Sequence, residues 1–364
     1  MIDTVKQQRL DRWLRPEIRS LSPYHVTDAT GMVKLDAMEN PYGWPQSLIE
    51  RWLQVMASVS LNRYPDPQAR ELVRALRSAY HIPGSVGLLL GNGSDELIQM
   101  IMLSVAAPGC VVLAPEPGFS MYQMIAEFVG LRYVGVDLSA SDFSLDVAAM
   151  LAAIEQHQPA VIFLDYPNNP SGNLFDVAAM ERIIAAAPGL VVIDEAYHAF
   201  AGATMLGRLP DYDNLMVLRT VSKMGLAGLR LGMLMADPCW VDEINKIRLP
   251  YNINSLTQAS ATFAMQHMDV LNEHTERISR DRDELYTQLQ QLKGLVVYPS
   301  RANFILFRAP EGRGPELYER LKQDKVLIRN LHRHGTVMAD CLRVTVGTAE
   351  ENHAFMQALT RALS

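Results

Sequence analysis

One lysine in this sequence stands among residues that an ordinary surface lysine does not need. Lys223 lies in "TVSKMGLAGLRLG", directly after Ser222, with glycines around it and Arg230 seven positions later. A free lysine has a pKa of about 10.4, so it is protonated at neutral pH and a poor nucleophile. Near other cations and away from water, a lysine loses that proton and can form a Schiff base with an aldehyde. The alternative for a single lysine is a solvated side chain.

A second group of residues is suited to an anion. The glycines of "GNGSDELI" (Gly91 to Ile98) let the backbone approach a ligand closely. A helix that begins near Ser94 would add free N–H groups and the positive end of its dipole, which together favour a phosphate. Glu96 stands where a dinucleotide fingerprint needs its third glycine, which argues against that kind of site. A plain strand-to-helix turn is the other reading.

A carboxylate ends a wholly apolar run. Asp194 closes "LVVID" and opens "DEAYHAF", and Tyr197 follows three positions later. A carboxylate in such a place requires a cation or hydrogen-bond donors. The protonated ring nitrogen of a cofactor would suit it, whereas a metal is disfavoured because no His or Asp cluster at ligand spacing accompanies it. The alternative role for Asp194 is a helix cap.

The loop "DYPNNPSG" completes the set. Its two prolines and glycine fix a turn after an apolar run; we expect Asn169 to contact a ligand and Asn168 only to shape the turn. A lysine for an aldehyde, an aspartate for a pyridinium nitrogen, an amide and a phenol for a phenolic oxygen, and a phosphate site together fit pyridoxal phosphate. Once a substrate amine displaces Lys223, that lysine could also act as general base and acid.

These residues require strands whose carboxyl ends meet at one edge of a sheet, where ligands bind in open α/β folds. Five continuous apolar runs predict strands buried on both faces: Val86 to Leu90, Val111 to Ala114, Ala160 to Leu164, Leu190 to Asp194 and Leu215 to Arg219. Helical patterns such as "SLDVAAMLAAIEQ" and "DVAAMERIIAAA" lie between them. The alternation predicts an α/β fold with a three-layer α/β/α large domain and a mostly parallel sheet.

The character of the sequence changes after Pro250. A long helical pattern runs from about Leu256 to Leu292, and mixed strand and helix patterns follow it. We predict a large domain over residues 41–250 and a smaller α+β domain formed by residues 251–364. The N-terminal arm, residues 1–40, is expected to pack on the small domain or on a partner chain.

Composition sets the broad class of protein. A chain of 364 residues is long for a single core, and a formal net charge of −7 lacks the basic excess of nucleic-acid-binding proteins. Three widely separated cysteines favour a reducing compartment and no metal site. The charged N-terminal segment has no signal-peptide core, and no apolar stretch is long enough to span a bilayer. We therefore expect a cytoplasmic protein with neither a nucleic-acid nor a membrane partner.

The motifs "DYPNNPSG", "DEAY" and "SKMGLAGLRLG", in this order, resemble the class I/II aminotransferases of fold type I over nearly the whole chain. Within them, "LDAMENPYG", "NRYPDP", "GNGSDELI" and "LRVTVGT" are similar to the histidinol-phosphate aminotransferase group. This resemblance implies amino-group transfer between L-histidinol phosphate and 2-oxoglutarate with pyridoxal 5'-phosphate. The products would be imidazole acetol phosphate and L-glutamate, in L-histidine biosynthesis.

The resemblance also implies roles for single residues. Lys223 would carry the cofactor, and Asp194 would pair with its ring nitrogen. The other implied cofactor contacts are Asn169 and Tyr197 at the ring oxygen, Phe119 stacked on the ring, and Ser94, Asp95, Ser222 and Arg230 at the phosphate. Tyr64 of "RYP" would reach that phosphate from a neighbouring subunit, which implies a homodimer with shared active sites.

For the substrate, the resemblance implies an anion site. Arg343 would bind the anionic end of the substrate, with Arg329 and Tyr24 clamping its phosphate. A surface ion pair is the alternative for Arg329, and packing of the arm is the alternative for Tyr24. The loop from Lys223 to Arg230 is one residue shorter than in many relatives. We expect "LHRHG", with His332 and His334, to be an exposed loop, since no third metal ligand is evident.

Other activities of the same fold stay open at this level. A lyase that decarboxylates threonine phosphate or a broad-range aromatic aminotransferase would use the same cofactor, because Arg343 could accept either a carboxylate or a phosphate. A non-enzymatic protein that keeps the cofactor is a further alternative. The presence of Lys223, Asp194 and Tyr197 argues against that last reading.

Overall fold

The structure is a computed structural model that describes residues 4–23 and 26–364. In these residues the helices are α1 (Thr4–Trp13), α2 (Pro16–Ser20), α3 (Gln46–Ala57), α4 (Arg70–Ala79), α5 (Ser94–Ser104), α6 (Met121–Val129), α7 (Val147–His157), α8 (Val177–Ala186), α9 (His198–Ala201), α10 (Pro238–Asn245), α11 (Ser255–Met265), α12 (Met268–Gln290), α13 (Gly314–Gln323) and α14 (Ala349–Leu363). The strands are β1 (Val33–Lys34), β2 (Gly87–Gly91), β3 (Val111–Glu116), β4 (Arg132–Asp137), β5 (Val161–Asp165), β6 (Leu190–Asp194), β7 (Leu215–Thr220), β8 (Gly232–Ala236), β9 (Val296–Val297), β10 (Phe304–Arg308), β11 (Val326–Leu327), β12 (Arg329–Asn330) and β13 (Cys341–Thr345).

A seven-stranded sheet forms the centre of the larger part, in the order β2-β8-β7-β6-β5-β3-β4. The pairs from β7 across to β4 are parallel, and β8 runs antiparallel to both β2 and β7. This mostly parallel sheet confirms the predicted fold class. Because the parallel strands end at the same edge, β5, β6 and β7 bring the loops that follow them together.

Helices cover both faces of this sheet, which explains the unbroken apolar runs. In β6, Val191 and Ile193 face a core formed with α4, α7 and α8, whereas Val192 faces a second core formed with α5 and α6. Alternate residues of one strand therefore pack against opposite layers. Asp146 and Asp176 cap α7 and α8 by accepting a hydrogen bond from a backbone N–H three positions later.

The five predicted strands of the large sheet are present, and the sequence reasoning missed the other two strands of that sheet. Strand β4 is an edge strand whose residues are mostly half-buried or exposed, so its sequence lacks an apolar run. Strand β8 directly follows the glycine-rich turn and holds two methionines, which have no strong strand preference. Gly232 at its start packs so closely on α5 that a Cβ would lie 2.6 Å from the backbone nitrogen of Ser94.

The long helical pattern after Pro250 is two helices rather than one. Helices α11 and α12 are separated at Gln266 and His267, where the His267 ring nitrogen Nδ1 lies 2.7 Å from the carbonyl of Phe263. Helix α11 packs against α3 and α4, and Trp52 donates a hydrogen bond to Ser260 at 2.9 Å. Helix α11 therefore packs on the helices that cover the large sheet. The domain boundary at residue 250 stays a prediction.

The C-terminal residues form a smaller antiparallel sheet in the order β12-β13-β10-β9, packed against α12 and α13 and, through Phe307 and Phe355, against α14. The N-terminal arm contacts both parts of the molecule. Strand β1 pairs in parallel with β11, while Arg15 donates a hydrogen bond to the carbonyl of Phe128 in α6. No helix of the described ranges is long and apolar enough to cross a membrane.

Candidate active site

A cleft of about 510 Å³ lies beyond the carboxyl ends of the central strands. Five of the residues predicted from the sequence line it: Lys223, Asn169, Phe119, Arg329 and Arg343. The first three belong to loops of the large sheet, and the two arginines come from strands of the small sheet. The cleft therefore lies where the two sheets face each other.

Lys223 is held in a short 3₁₀ turn, Ser222–Met224, that follows β7. Its ammonium nitrogen lies 3.4 Å from the carbonyl oxygen of Ala37 and 5.9 Å from the ring centre of Tyr197. Burial, and then the nearby charge of Arg343, lower the pKa of Lys223 to about 8. An appreciable fraction of this lysine is thus neutral near pH 8, which is unlike a solvated lysine.

Asp194 is buried at the end of β6. One carboxylate oxygen accepts a hydrogen bond from the Ala196 backbone at 3.0 Å, and the other accepts one from the Tyr122 hydroxyl at 2.9 Å. Burial raises the pKa of Asp194 to about 6. It is not a helix cap, because Tyr197 occupies the N-cap position of α9. A buried carboxylate of this kind is suited to a cationic ring nitrogen.

Tyr197 and Asn169 lie beside Lys223 and Arg343. Tyr197 is buried edge-on against Phe304, with ring centres 5.1 Å apart, and burial raises the pKa of its hydroxyl. The amide oxygen of Asn169 accepts a hydrogen bond from the Arg343 guanidinium, which also donates to the carbonyl of Asp36 at 3.2 Å. These contacts fix the orientation of Arg343 towards the cleft.

The predicted phosphate residues meet at the start of α5. Ser94 is the first residue of that helix, after Gly93 with a φ of +89°. The Arg230 guanidinium lies so close to Gly93 that a Cβ there would be 2.6 Å from its Nη2, and Nη2 is 3.4 Å from the carboxylate of Asp95. The short loop after Lys223 therefore still brings Arg230 to the helix N-terminus.

Ser222 is the first residue of the 3₁₀ turn that contains Lys223. Its side chain is buried, and its hydroxyl lies 2.8 Å from that of Thr220. Phe119 packs edge-on against Tyr122, with ring centres 5.5 Å apart. Asn168 donates hydrogen bonds to Ser171 at 2.6 Å and to the Pro117 carbonyl, as expected of a residue that shapes its turn.

Of the remaining predicted residues, Tyr64 does not line the cleft. Tyr64 is 81% exposed, and it stacks on Tyr251 with ring centres 4.5 Å apart instead of lining the cleft of its own chain. Tyr24 lies outside the residues that the structure describes.

The loop with the two histidines differs from expectation. His334 is exposed, but the expectation of an exposed loop is wrong for His332, whose side chain lines the cleft and is only 11% exposed. The ring nitrogen Nδ1 of His332 accepts a hydrogen bond from the Asp340 backbone at 2.9 Å, which turns the ring inward. Within the described ranges, no group of three His, Cys, Asp or Glu side chains could hold a metal ion.

The two arginines of the small sheet are direct cross-strand partners. Arg329 in β12 is paired with Arg343 in β13, and both line the cleft. Like charges at opposed positions repel each other and destabilise a sheet unless an anion offsets them. The pair is therefore suited to an anionic group.

Sequence reasoning missed two residues behind the cleft. Asp165 ends β5 as Asp194 ends β6, at paired positions of neighbouring strands, and the Tyr122 hydroxyl contacts both carboxylates. The carboxylate at the end of "AVIFLD" was a signal for Asp165, since it matches the end of "LVVID". The position of Tyr122 had no such signal, because it comes from a helix distant in sequence.

Comparison with known proteins agrees with this arrangement. The chain is 56% identical over 355 residues to histidinol-phosphate aminotransferase 2 of Nitrosococcus oceani, covering 98% of both chains. It is 47% identical to histidinol-phosphate aminotransferase 2 of Cupriavidus pinatubonensis over the full length of both. The structure of histidinol-phosphate aminotransferase from Sinorhizobium meliloti, in complex with pyridoxal-5'-phosphate, has the same fold, with a TM-score of 0.86 at 24% identity over 96% of this chain and 97% of that one.

The sequence pattern of the family "Aminotransferase class I and II" matches residues 30–359. This match covers both sheets and every cleft-lining residue that was predicted from the sequence. The chain therefore belongs to the class I and II aminotransferase family.

Proposed function

We propose that this aminotransferase moves the amino group of L-histidinol phosphate to 2-oxoglutarate, giving imidazole acetol phosphate and L-glutamate, in L-histidine biosynthesis. The relatives that carry this activity in their names match the chain over nearly its whole length. The observation that carries the proposal is the opposed pair Arg329 and Arg343 in the same cleft as Lys223. L-histidinol phosphate has no carboxylate, so its phosphate is the anion that this pair would bind.

The family uses pyridoxal phosphate, and the residues present fit that group. Bound, it supplies an electron-withdrawing ring next to the reacting carbon of the substrate. The N-terminus of α5 with Ser94 would receive its phosphate, and a Cβ at Gly232 would crowd that backbone. Asp194, which is buried and accepts hydrogen bonds from Tyr122 and Ala196, would hold a proton on the ring nitrogen.

The remaining roles follow from the same geometry. Lys223, with its pKa lowered to about 8, would attach the cofactor and later move the proton of the substrate carbon. Asn169 and Tyr197 would contact the ring oxygen, and Phe119 would cover the ring. Ser222, Asp95 and Arg230 would complete the phosphate site.

The opposite side of the cleft offers groups for the imidazole. Glu116, Asp137 and Gln123 line it there, together with Tyr133, and burial and then the charge of Glu116 raise the pKa of the Tyr133 hydroxyl. Carboxylates and amides accept hydrogen bonds from an imidazole, and a carboxylate also favours its protonated form. A cleft with arginines on the small-sheet side and carboxylates on the large-sheet side is suited to a donor with an anionic and a basic end.

The role of Arg329 is tested by its replacement with glutamine. We expect Arg329→Gln to lower kcat/KM for L-histidinol phosphate by about 10- to 100-fold, because a hydrogen bond to a charged group is lost. The value for unphosphorylated L-histidinol should change by less than about 3-fold, and cofactor affinity should stay the same. Initial rates and cofactor titrations measure these quantities.

Arg320→Gln is the matched control, since Arg320 pairs with Glu316 on the outer surface of α13. This variant should behave like the unchanged enzyme. Equal losses of cofactor and substrate binding in Arg329→Gln would remove Arg329 from the substrate site.

We also propose a cytoplasmic homodimer in which Tyr64 reaches the partner's cofactor phosphate. Tyr251 stacks on this tyrosine. Leu249, two positions before Tyr251, is 73% exposed, and Leu61, three positions before Tyr64, is 75% exposed. Exposed apolar groups that lie together favour a protein partner. The three free cysteines are compatible with a reducing compartment.

Leu249→Glu tests the homodimer. A charge within the proposed apolar contact should convert the dimer to monomers, and the monomers should retain pyridoxal phosphate less well than the dimer. Light scattering and cofactor titration at one protein concentration measure both effects. Val296→Glu, at another exposed apolar position, serves as the control. A monomeric native protein with full cofactor affinity would exclude the shared site.

A further inference from the structure

We propose that Asp165 is a positioning residue for this reaction, which stays protonated at neutral pH and, through Tyr122, holds Asp194 ionised towards the ring nitrogen of the cofactor. The inference rests on the proposed role of Asp194. Its test therefore includes readouts that do not depend on turnover.

The three side chains form one buried chain of contacts. Asp165 and Asp194 end the neighbouring parallel strands β5 and β6 at paired positions. The Tyr122 hydroxyl lies between them, 2.9 Å from Oδ2 of Asp194 and hydrogen-bonded to Oδ1 of Asp165. Their exposed fractions are 6%, 4% and 1% for Asp165, Asp194 and Tyr122, so water does not compete for these contacts.

The number of protons shared by Asp165, Tyr122 and Asp194 decides whether both contacts of the Tyr122 hydroxyl can be hydrogen bonds. A phenol has one hydrogen to donate, and an ionised carboxylate has none. With both carboxylates ionised, Tyr122 could satisfy only one of its two contacts, and the other would place two oxygen lone pairs against each other. Two buried carboxylates in one site do not both ionise readily. One additional proton satisfies both contacts.

The contacts of Asp165 are compatible with a protonated carboxyl, and a cation at the ring-nitrogen position beside Asp194 would select Asp165 as the carboxyl that carries the proton. Its Oδ2 accepts hydrogen bonds from the backbone N–H groups of Phe119 at 3.2 Å and Asn169 at 3.3 Å, as a carbonyl oxygen does. Its Oδ1 faces Tyr122 and would donate the proton to the phenol oxygen. Tyr122 is then free to donate to Asp194, which stays an acceptor for both of its donors.

The surrounding charges agree with this assignment. Burial, and then the charge of Asp194, raise the pKa of Asp165, and burial also raises the pKa of Asp194. The other titratable groups that act on the two carboxyls are the phenols Tyr122, Tyr133 and Tyr197 and the carboxylates Asp95 and Glu195. The protonated ring nitrogen of the bound cofactor would be a cation next to Asp194. Its positive charge would favour the ionised form of Asp194.

Asp165 also connects the residues around the ring. Its one carboxyl contacts the backbone of Phe119 and Asn169 and, through Tyr122, the carboxylate of Asp194. Three expected cofactor contacts, at the ring face, the ring oxygen and the ring nitrogen, thus depend on a single group. A change of its hydrogen-bond pattern would disturb all three together.

The test compares Asp165→Asn with Asp165→Ala. Asparagine copies the protonated carboxyl, since its NH₂ group can donate to Tyr122 while its oxygen accepts from the two backbone N–H groups. We expect Asp165→Asn to retain kcat within about 3-fold, and Asp165→Ala to lose about 100-fold through misplacement of the ring contacts. The absorbance spectrum of the bound cofactor should be native-like in Asp165→Asn and shifted in Asp165→Ala.

A second measurement detects the proton on Asp165 in the cofactor-free protein. A carboxyl whose pKa is raised in the folded protein stabilises it at low pH, and this contribution is lost as the pH rises towards about 8. The urea midpoint of the cofactor-free native protein should therefore fall between pH 6 and 8, and this fall should be smaller in Asp165→Asn. Because no turnover is involved, this result is independent of the proposed substrate.

Two results would overturn the inference. One is an Asp165→Asn enzyme as impaired as Asp165→Ala, although the native enzyme turns over L-histidinol phosphate. The other is an unchanged pH dependence of unfolding in Asp165→Asn. If Asp165→Ala does not fold, Tyr122→Phe takes its place, since it breaks the same connection and should also shift the cofactor spectrum.

Discussion

Replacing Lys223 with alanine is expected to abolish transamination, with kcat lowered by about 10,000-fold or more. The variant has no amine to attach the cofactor and no group at that position to move the proton of the substrate carbon, and general acid–base catalysis alone contributes up to about 10,000-fold. Residual cofactor binding should persist, because the proposed phosphate site at Ser94 and Arg230 is separate from the lysine. Glutamate formation from 2-oxoglutarate measures the loss.

Lys246→Ala is the control for this experiment, since Lys246 is an exposed lysine paired with Glu243. It should retain full activity. Borohydride treatment of the native holoenzyme should attach the cofactor to the peptide that contains Lys223, and mass spectrometry of a digest identifies that peptide. Unchanged turnover in Lys223→Ala would refute the role assigned to this residue.

Replacing Asp194 with asparagine should have opposite effects on activity and on stability. Activity should fall by about 100- to 1,000-fold, the range found when one preorganised electrostatic contact is removed. The cofactor-free protein should become more stable at pH 8, because the folded protein no longer holds a buried charge. Burial raises the pKa of Asp194 to about 6, so the ionised form is disfavoured in the native state.

The sign of this stability effect follows from linkage. The raised pKa stabilises the native state below the ordinary pKa of an aspartate, and that contribution is lost as the pH rises through about 6. The gain in Asp194→Asn should therefore be absent near pH 4 and on the order of 2 kcal/mol above pH 7. Urea unfolding at several pH values measures it, with the exposed Asp213→Asn as control. A variant less stable than the native protein at pH 8 would contradict the account.

Much of the fold is readable from the sequence because its signals are local. The runs that became β3, β5, β6 and β7 are apolar throughout since helices cover both faces of the sheet. The edge strand β4 lacks that burial, and its sequence has no such run. The break between α11 and α12 falls at Gln266 and His267, where neither proline nor glycine marks an end.

The residues of the candidate site also fall into two groups, those with a local sequence signal and those placed by contacts between distant parts of the sequence. Lys223, Asp194 and Asn169 stand at strand ends, where chemistry is expected in an α/β fold, and their motifs are continuous in the sequence. The pairing of Arg329 with Arg343 depends on strand register, and the contact of Tyr122 with two carboxylates depends on packing between α6 and the sheet. Such contacts join distant residues, so no local pattern predicts them. His332 was missed because its inward turn depends on the backbone of Asp340.

The choice of amine donor tests the proposed function most directly. Initial rates should be measured with 2-oxoglutarate and, in turn, L-histidinol phosphate, O-phospho-L-threonine and L-phenylalanine, with glutamate and carbon dioxide both quantified. We predict that kcat/KM for L-histidinol phosphate exceeds that of the other two donors by at least about 100-fold, the discrimination of one or two charged contacts. No carbon dioxide should be released from O-phospho-L-threonine. No glutamate from L-histidinol phosphate, together with turnover of another donor, would contradict the account.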